Sequence, residues 1–86
     1  MLTPPRPEIM EALTAVFREV LDEPALTLRE DTTADDVASW DSLNHIDLIV
    51  AVERKFKVKF TTREIASLRN VGELATLIQQ KPAAQH

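Results

Sequence analysis

The residues of this sequence best placed to do chemistry are the four consecutive residues Trp40, Asp41, Ser42 and Leu43. They follow a long polar stretch and open the most strongly apolar stretch of the chain. A serine at the exposed beginning of a helix offers an accessible hydroxyl, and a helix N-terminus favours an anionic group attached or bound there. Because Ser and Asp are also the commonest N-caps, a purely structural role for Asp41 or Ser42 remains the alternative.

Catalysis and metal binding are poorly supported by the residue types. Ser42 and His45 are three positions apart, and Asp41 adjoins them, but a hydrolase also needs an oriented base and an oxyanion hole, for which no motif is present. We therefore predict that the protein is not an enzyme and that His45 is a solvated helix residue. Asp35 and Asp36 are typical of a solvated loop, and we expect no metal site.

Composition excludes several other kinds of site. The 86 residues contain no cysteine and a single glycine, Gly72, which excludes disulfides, thiolate metal sites and glycine-rich phosphate loops. No apolar run approaches the roughly 20 residues of a membrane span. The proline-rich beginning lacks the apolar stretch of a signal peptide, so we expect a cytoplasmic protein that does not bind a membrane.

Charge is distributed unevenly along the chain. Residues 1–43 carry 3 basic and 10 acidic side chains, whereas residues 44–86 carry 7 basic and 4 acidic ones. Nucleic acid is a poor partner for an acidic stretch, and the basic residues near 54–59 alternate with apolar ones that are typical of a core. We expect no nucleic-acid binding, and a basic protein surface as the better partner of the first half.

Apolar periodicity predicts an all-α fold, a small four-helix bundle of three longer helices and one short one, with a long loop between the first and second helices. The first helix is predicted over 7–21, with Pro7 in its first turn and Pro24 preventing its continuation. Residues 22–40 show no period. We expect a long loop with a possible short helical turn near 34–37, pinned to the core by Leu26, Leu28, Val37 and Trp40.

Residues 42–56 form the strongest predicted helix, with Asp41 or Ser42 as its N-cap. Its apolar residues cover more than one stripe, so it must pack on the core and also face a cavity or a partner. An extended connector follows, then a short helix opened by a capping box at Thr61 and a last helix opened by Asn70 and ended by Pro82. The chain is predicted to be one domain, 1–86, with a core over about 7–81 and flexible ends at 1–6 and 82–86.

The motif Asp41-Ser42-Leu43 and the helix after it resemble the attachment motif and second helix of acyl carrier proteins. The resemblance continues along that helix and through the rest of the chain, spanning roughly residues 8–80. The matching positions are Ile46, Asp47, Leu48, Val50, Glu53 and Phe56, then Val58, Glu64, Leu68, Val71, Leu74 and Ile78.

The resemblance implies a 4′-phosphopantetheine group, taken from coenzyme A by a phosphopantetheinyl transferase and attached to Ser42. Acyl groups would be held on it as thioesters and delivered to acyl-loading and acyl-processing enzymes of lipid, polyketide or peptide biosynthesis. Asp41 and Leu43 complete the attachment motif. The second helix would be the surface on which partner enzymes dock, and the carrier would be a monomer. The docking contacts would come from Asp41, Leu43, Ile46, Asp47 and Glu53. The remaining apolar surface of this helix would either line a cleft for the acyl chain or serve only tighter packing of the bundle.

The charges after the second helix depart from this family. Carriers of primary fatty acid synthesis are usually acidic there, whereas this chain has Arg54, Lys55, Lys57 and Lys59. Partners matched to an acidic helix would meet like charge, which disfavours binding. The sequence therefore indicates a specialised carrier. The alternative function is a carrier-like helical interaction module that binds a partner protein and is never modified.

Overall fold

The computed structural model describes residues 5–80, which form four α-helices and one short 3₁₀ helix. Helix α1 spans Arg6–Leu21, the 3₁₀ helix Ala34–Asp36, α2 Ser42–Phe56, α3 Thr62–Ser67 and α4 Val71–Gln80. No strand occurs in the described range. The predicted all-α bundle, with its short third helix and its long loop after the first helix, is confirmed. Residues 1–4 and 81–86, which include most of both predicted flexible ends, lie outside the described residues.

The core lies between α1, α2 and α4, which bury complementary apolar faces against one another. Helix α1 is central, since it packs on both α2 and α4. The largest fully buried side chains come from these three helices: Ile9, Leu13, Phe17, Leu48, Val52, Val71 and Ile78. Burying each such side chain stabilises the fold by about 1.5–3 kcal/mol relative to leaving it in water. The short helix α3 contributes no buried residue.

Arg6 begins α1 and is firmly held, so its prediction as part of a flexible end was wrong. Its guanidinium donates to both carboxylate oxygens of Glu30, at 2.9 and 2.6 Å. It also donates to the carbonyl of Gly72 at 3.0 Å and to the side-chain oxygens of Thr76 and Gln79 at 2.9 and 2.7 Å. The hydrogen bonds from Arg6 lower the pKa of the exposed Glu30 carboxyl below its usual value. Nothing local in the sequence signals these contacts, because the partners lie 24 or more positions away.

The single glycine lets the long loop approach the beginning of α4. The Gly72 N–H donates to the Glu30 carbonyl at 2.7 Å, and the Val71 N–H donates to the Thr32 carbonyl at 2.9 Å. A Cβ on residue 72 would stand only 2.7 Å from the Glu30 carbonyl oxygen, so glycine is required for this close approach. The loop carbonyls thereby satisfy N–H groups that the first turn of a helix cannot pair internally.

The long loop packs on the core through the four residues that the sequence predicted for this role. Val37 and Trp40 are buried, and Leu26 and Leu28 are half-buried against the same core. The predicted helical turn is present as the 3₁₀ helix, where the Thr33 N–H donates to Asp36 Oδ2 at 3.0 Å. This loop ends at Trp40, directly before α2.

The connector after α2 is extended, as predicted, and Glu53 anchors it. Lys57 ends α2 in the left-handed conformation, with φ 57°. Val58 and Phe60 are buried, and the Phe60 N–H donates to Glu53 Oε2 at 2.8 Å. The predicted caps of the last two helices are both confirmed: Thr61 with Glu64 at α3, and Asn70 Oδ1 accepting from the Glu73 N–H at α4.

Candidate functional site at the beginning of α2

Asp41, rather than Ser42, is identified as the N-cap of α2. One oxygen of its carboxylate, Oδ1, accepts from the N–H groups of Leu43 and Asn44, both at 3.0 Å. Asn44 in turn donates from Nδ2 to the Ser39 carbonyl at 2.6 Å, which ties the loop to the first turn. The backbone of Ser42 is therefore fixed as the first helical residue, directly after the cap.

The cap and the charge of Asp41 can be separated by substitution. We expect Asp41→Ala to lower the free energy of unfolding by about 0.5–2 kcal/mol, since it removes the cap acceptor. Asp41→Asn keeps an acceptor oxygen and should stay within about 0.5 kcal/mol of the original protein, since Asn caps as well as Asp does. Urea denaturation, monitored by circular dichroism, measures the free energy of unfolding of both variants. Equal losses in the two variants would contradict the capping role.

Trp40 and His45 form a hydrogen-bonded pair beside this turn. The indole Nε1–H donates to His45 Nδ1 at 3.2 Å, and the two ring planes lie within 18° of each other. Trp40 also meets the ring of Phe17 edge-on, with centroids 5.0 Å apart. His45 is half-buried, so its prediction as a solvated residue was wrong; an indole five positions away supplies the contact. Trp40 is buried, as predicted for a residue that pins the loop to the core.

The hydrogen bonds of this site do not assemble a hydrolase triad. The Asp41 carboxylate caps the helix backbone and does not orient His45. His45 Nδ1 accepts from Trp40, whereas in a triad this nitrogen donates to the orienting carboxylate.

The outer face of α2 carries an apolar stripe, which we define as Leu43, Ile46 and Val50. Their side chains are 84%, 57% and 40% exposed, whereas Leu48 and Ile49 on the inner face are buried. The wide apolar surface predicted for this helix thus divides into a core face and an exposed face. Single exposed apolar residues are ordinary, but three in one row at helical spacing are typical of an interaction surface.

The charged residues of α2 separate into two groups. Asp47 is exposed, whereas Glu53 is half-buried and already accepts from the Phe60 N–H. The cationic end of α2, which we define as Arg54, Lys55, Lys57 and Lys59, is fully on the surface. Among residues 5–80 these four cations make no ion pair. Together with Val50, Glu53 and Val58, three of them line an open groove of about 370 Å³.

Two cavities meet at the Trp40–His45 pair. The inner cavity has about 60 Å³ of free space. It is lined by core residues, by Ala34, Trp40 and His45, and by Leu68, Arg69 and Asn70 between α3 and α4. The outer groove, of about 510 Å³, is lined by Ala34, Trp40 and His45 together with Asp35, Asp41 and Ile46. Asp41 adjoins Ser42, so the outer groove begins beside the candidate attachment residue.

The residues at this turn fit a phosphodiester-linked arm. The positive end of the α2 dipole favours an anionic phosphodiester at the first helical residue. The outer groove offers apolar walls at Trp40 and Ile46 and carboxylates at Asp35 and Asp41. A flexible arm containing amide groups suits such a mixed lining, since its polar and apolar parts both find matching surface.

Residues 5–80 contain neither a metal-binding cluster nor a helix that could span a membrane. This part of the chain brings together no group of three or more His, Asp or Glu side chains able to hold a metal ion. Its helices are also too short and too polar for any of them to cross a bilayer.

Comparison with known proteins points to one family. Residues 11–78 match a family model described as a phosphopantetheine attachment site. The chain is 30% identical over 71 residues to an acyl carrier protein of Acidothermus cellulolyticus, covering 83% of this chain and 84% of that protein. It is 34% identical over 74 residues to the meromycolate extension acyl carrier protein of Mycobacterium leprae, covering 85% of this chain but only 64% of that longer protein.

A solved structure supports the same comparison. The solution structure of the holo acyl carrier protein from Geobacter metallireducens superposes with a TM-score of 0.80 at 44% sequence identity. The match covers 85% of this chain and 84% of that one. Both the order of the helices and the long loop before α2 are therefore features shared with a carrier of known fold.

Proposed function

The chain belongs to the acyl carrier protein family, and on this premise we propose that Ser42 carries the 4′-phosphopantetheine group of a working carrier. One observation carries the assignment to this residue. Ser42 is the first residue of α2, directly after Asp41, whose carboxylate accepts from the N–H groups of Leu43 and Asn44 and which itself lines an open groove. The family match spans this turn.

The roles of the chain's own residues follow from this geometry. The arm supplies a terminal thiol, which holds acyl groups as thioesters and which a chain without cysteine lacks. The dipole of α2 stabilises negative charge at Ser42, and Asp41 holds the backbone of this turn in place. Trp40 and Ile46 offer apolar walls beside it. Members of this family are carriers that serve acyl-handling enzymes and a phosphopantetheinyl transferase.

Intact mass tests the proposal directly. After incubation with coenzyme A and a broad-range phosphopantetheinyl transferase, the protein should gain the mass of one phosphopantetheine group and no more. A known carrier treated in parallel shows that the transferase is active. If the folded protein gains no mass while that carrier does, the alternative of an unmodified interaction module replaces this proposal.

Partner docking is assigned to the outer face of α2. The exposed apolar stripe supplies desolvated contacts, which carry most of the binding energy of an interface. Asp41 and Asp47 are exposed beside it and can contribute polar contacts at its rim. The sequence also predicts Glu53 as a partner contact. Its carboxylate accepts a hydrogen bond from the Phe60 N–H, so Glu53 also stabilises the connector after α2. We propose that the carrier docks on its partners as a monomer.

The cationic end of α2 supports a specialised carrier. Its four cations are exposed, and no carboxylate within residues 5–80 pairs with them. Enzymes that recognise acidic carriers present basic surfaces, which these cations would repel. The carrier therefore serves partners other than those of primary fatty acid synthesis.

Charge reversal at the cationic end of α2 tests the proposal of a specialised carrier. We expect the double variant Lys57→Glu, Lys59→Glu to be used about 10-fold faster at low salt by a condensing enzyme of primary fatty acid synthesis, since steering by charge alters association rates by 10-fold or more. The gain should shrink in high salt, where surface charges are screened. Initial rates of acyl transfer from fully modified protein measure it.

A matched control makes the same change in net charge elsewhere. Arg29→Glu with Arg63→Glu replaces two exposed cations outside α2 and should leave the rate unchanged. Equal gains in both double variants would mean that net charge alone decides, and no gain in either would remove the argument for a specialised carrier. Thermal melting establishes beforehand that each variant is folded.

A further inference from the structure

Three of the four residues at the cationic end of α2 converge on one groove, although they come from two elements. Arg54 belongs to the last turn of α2, Lys57 caps its end, and Lys59 belongs to the connector. Val58 is buried between the two lysines, which leaves both of them on the surface. The open groove of about 370 Å³ is lined by these three cations together with Val50, Glu53 and Val58.

The fold does not neutralise these charges. Within residues 5–80 the one ion pair joins Arg6 to Glu30, so none of the three cations pairs with a carboxylate of this range. Glu53 is the one carboxylate that lines the groove, and its Oε2 accepts from the Phe60 N–H. The groove therefore carries more positive than negative charge.

The dipole of α2 accounts for only part of this charge. A cation in the last turn stabilises a helix because it faces the negative end of the dipole, which explains Arg54. The effect falls off within the last turn and does not extend to Lys59, two residues beyond the cap. Like charges held close together repel one another and lower stability. A cluster of this kind is suited to an anionic group on another molecule.

The groove is continuous with the exposed apolar stripe, because Val50 belongs to both. The stripe begins at Leu43, beside the candidate attachment residue, and leads along α2 to the cations. The 15 residues of α2 rise by about 22 Å along the helix axis. A partner that docks along this face therefore meets the cations about 20 Å from the group attached at Ser42.

We propose that the groove at the end of α2 binds an acidic segment of the partner enzyme, in which Asp or Glu side chains flank an apolar residue. The guanidinium of Arg54 binds a carboxylate through two parallel hydrogen bonds, and Lys57 and Lys59 attract further carboxylates as point charges. The apolar residue packs on Val50. This inference rests on the proposed function and deepens it, since it gives the chemistry of the partner surface.

An anionic bilayer fits the groove less well than a protein segment does. The protein carries a formal net charge of −4, so an extended anionic surface repels most of it. A basic helix that lies on a membrane also buries a broad apolar face in the bilayer. Among residues 5–80 the exposed large apolar side chains are those of the stripe, and of these Val50 alone borders the cations.

A synthetic peptide tests the groove in the absence of any enzyme. The probe is a short amphipathic helical peptide with Glu on both sides of a Leu stripe, and its twin carries Gln in place of Glu. Amide resonances of the unmodified protein are followed by nuclear magnetic resonance during titration at low salt. We expect the Glu peptide to shift the resonances of Val50 and residues 54–59, and to bind about 10-fold more tightly than the Gln peptide. High salt should remove most of this difference, because it screens exposed charges.

Two double variants separate the groove from net charge. Lys57→Glu with Lys59→Glu should weaken binding of the Glu peptide about 10-fold, whereas Arg29→Glu with Arg63→Glu should leave it within about 2-fold. Lys59→Glu alone keeps the left-handed cap at Lys57 and should still weaken binding about 3-fold. Thermal melting establishes that each variant is folded. Equal losses in the two double variants would overturn the proposal, because net charge alone would then explain the binding.

The location of the shifts and a vesicle assay exclude the other occupants. Shifts confined to Leu43 and Ile46, or no binding of the Glu peptide, would overturn the groove as the site. Protein that sediments with phosphatidylglycerol vesicles but does not bind the Glu peptide would replace the acidic segment with a membrane. The titration needs no attached group, so a failure of the peptide to bind leaves the attachment at Ser42 standing. A failure of loading from coenzyme A would instead refute that attachment, so the two failures are distinguishable.

Discussion

Ser42→Ala is expected to gain no mass from coenzyme A and a phosphopantetheinyl transferase, whereas the original protein gains one group. The loss should be complete, because the alanine methyl group cannot accept a phosphoryl group. The helix should still begin at residue 42, since Asp41 supplies the cap. We therefore expect a change in unfolding free energy of less than about 0.5 kcal/mol, because the substitution removes no cap.

The Ser42→Ala experiment needs a control variant and a test of folding. Ser39→Ala removes the nearest other serine hydroxyl, which donates to Glu23 at 3.0 Å, and should be modified as efficiently as the original protein. Circular dichroism should show Ser42→Ala folded at room temperature. Modification that survives in a folded Ser42→Ala protein would refute the attachment site, and an unfolded variant would give Ser42 a structural role instead.

Leu43→Ala and Ile46→Ala are each expected to lower kcat/KM for acyl transfer from the loading enzyme by about 10-fold. That corresponds to about 1.4 kcal/mol of lost binding, within the range for apolar anchors at the centre of an interface. Both side chains are exposed, so their truncation should leave the core intact. Initial rates at several carrier concentrations, with fully modified protein, measure the effect.

The control for this experiment is chosen from the structure. Asp36→Ala is an obvious choice from the sequence, but Asp36 accepts from Thr33 in a capping box and its loss would disturb the loop. Asp31→Ala changes an exposed loop residue whose side chain makes no such bond. It should leave kcat/KM within 2-fold of the original. Equal losses in Asp31→Ala and Leu43→Ala would argue against α2 as the docking surface.

The helices and the candidate turn could be predicted from local patterns because their causes are local. Apolar periodicity over 42–56, Pro24 after the first helix and the capping residues Thr61 and Asn70 each act within a few positions of the structure that they determine. The same holds for Asp41 and Ser42, where either cap was possible. Spacing alone could not choose between them, since it does not show which side chain turns toward the helix.

The contacts that could not be predicted join residues remote in the chain. Arg6 meets Glu30 and Gln79, whose pairing depends on how the helices pack. His45 was predicted to be solvated because the indole that covers it comes from the loop, and no local pattern indicates this contact. Glu53 resembled a free surface acid because its Phe60 partner follows the end of the helix. In each case the sequence showed the residue type but not the partner that tertiary packing provides.

The contact between Arg6 and Gln79 has a consequence for how this domain can be used. It joins the first residue of α1 to the last turn of α4 through a hydrogen bond of 2.7 Å. The beginning of α1 and the last turn of α4 therefore lie within side-chain reach of each other, and nearby ends of this kind make domain insertion tolerable. This carrier domain could therefore be inserted into a loop of a biosynthetic enzyme without straining the two connections. Tethering would raise the local concentration of cargo near that enzyme into the millimolar range, whatever the abundance of the carrier in the cell.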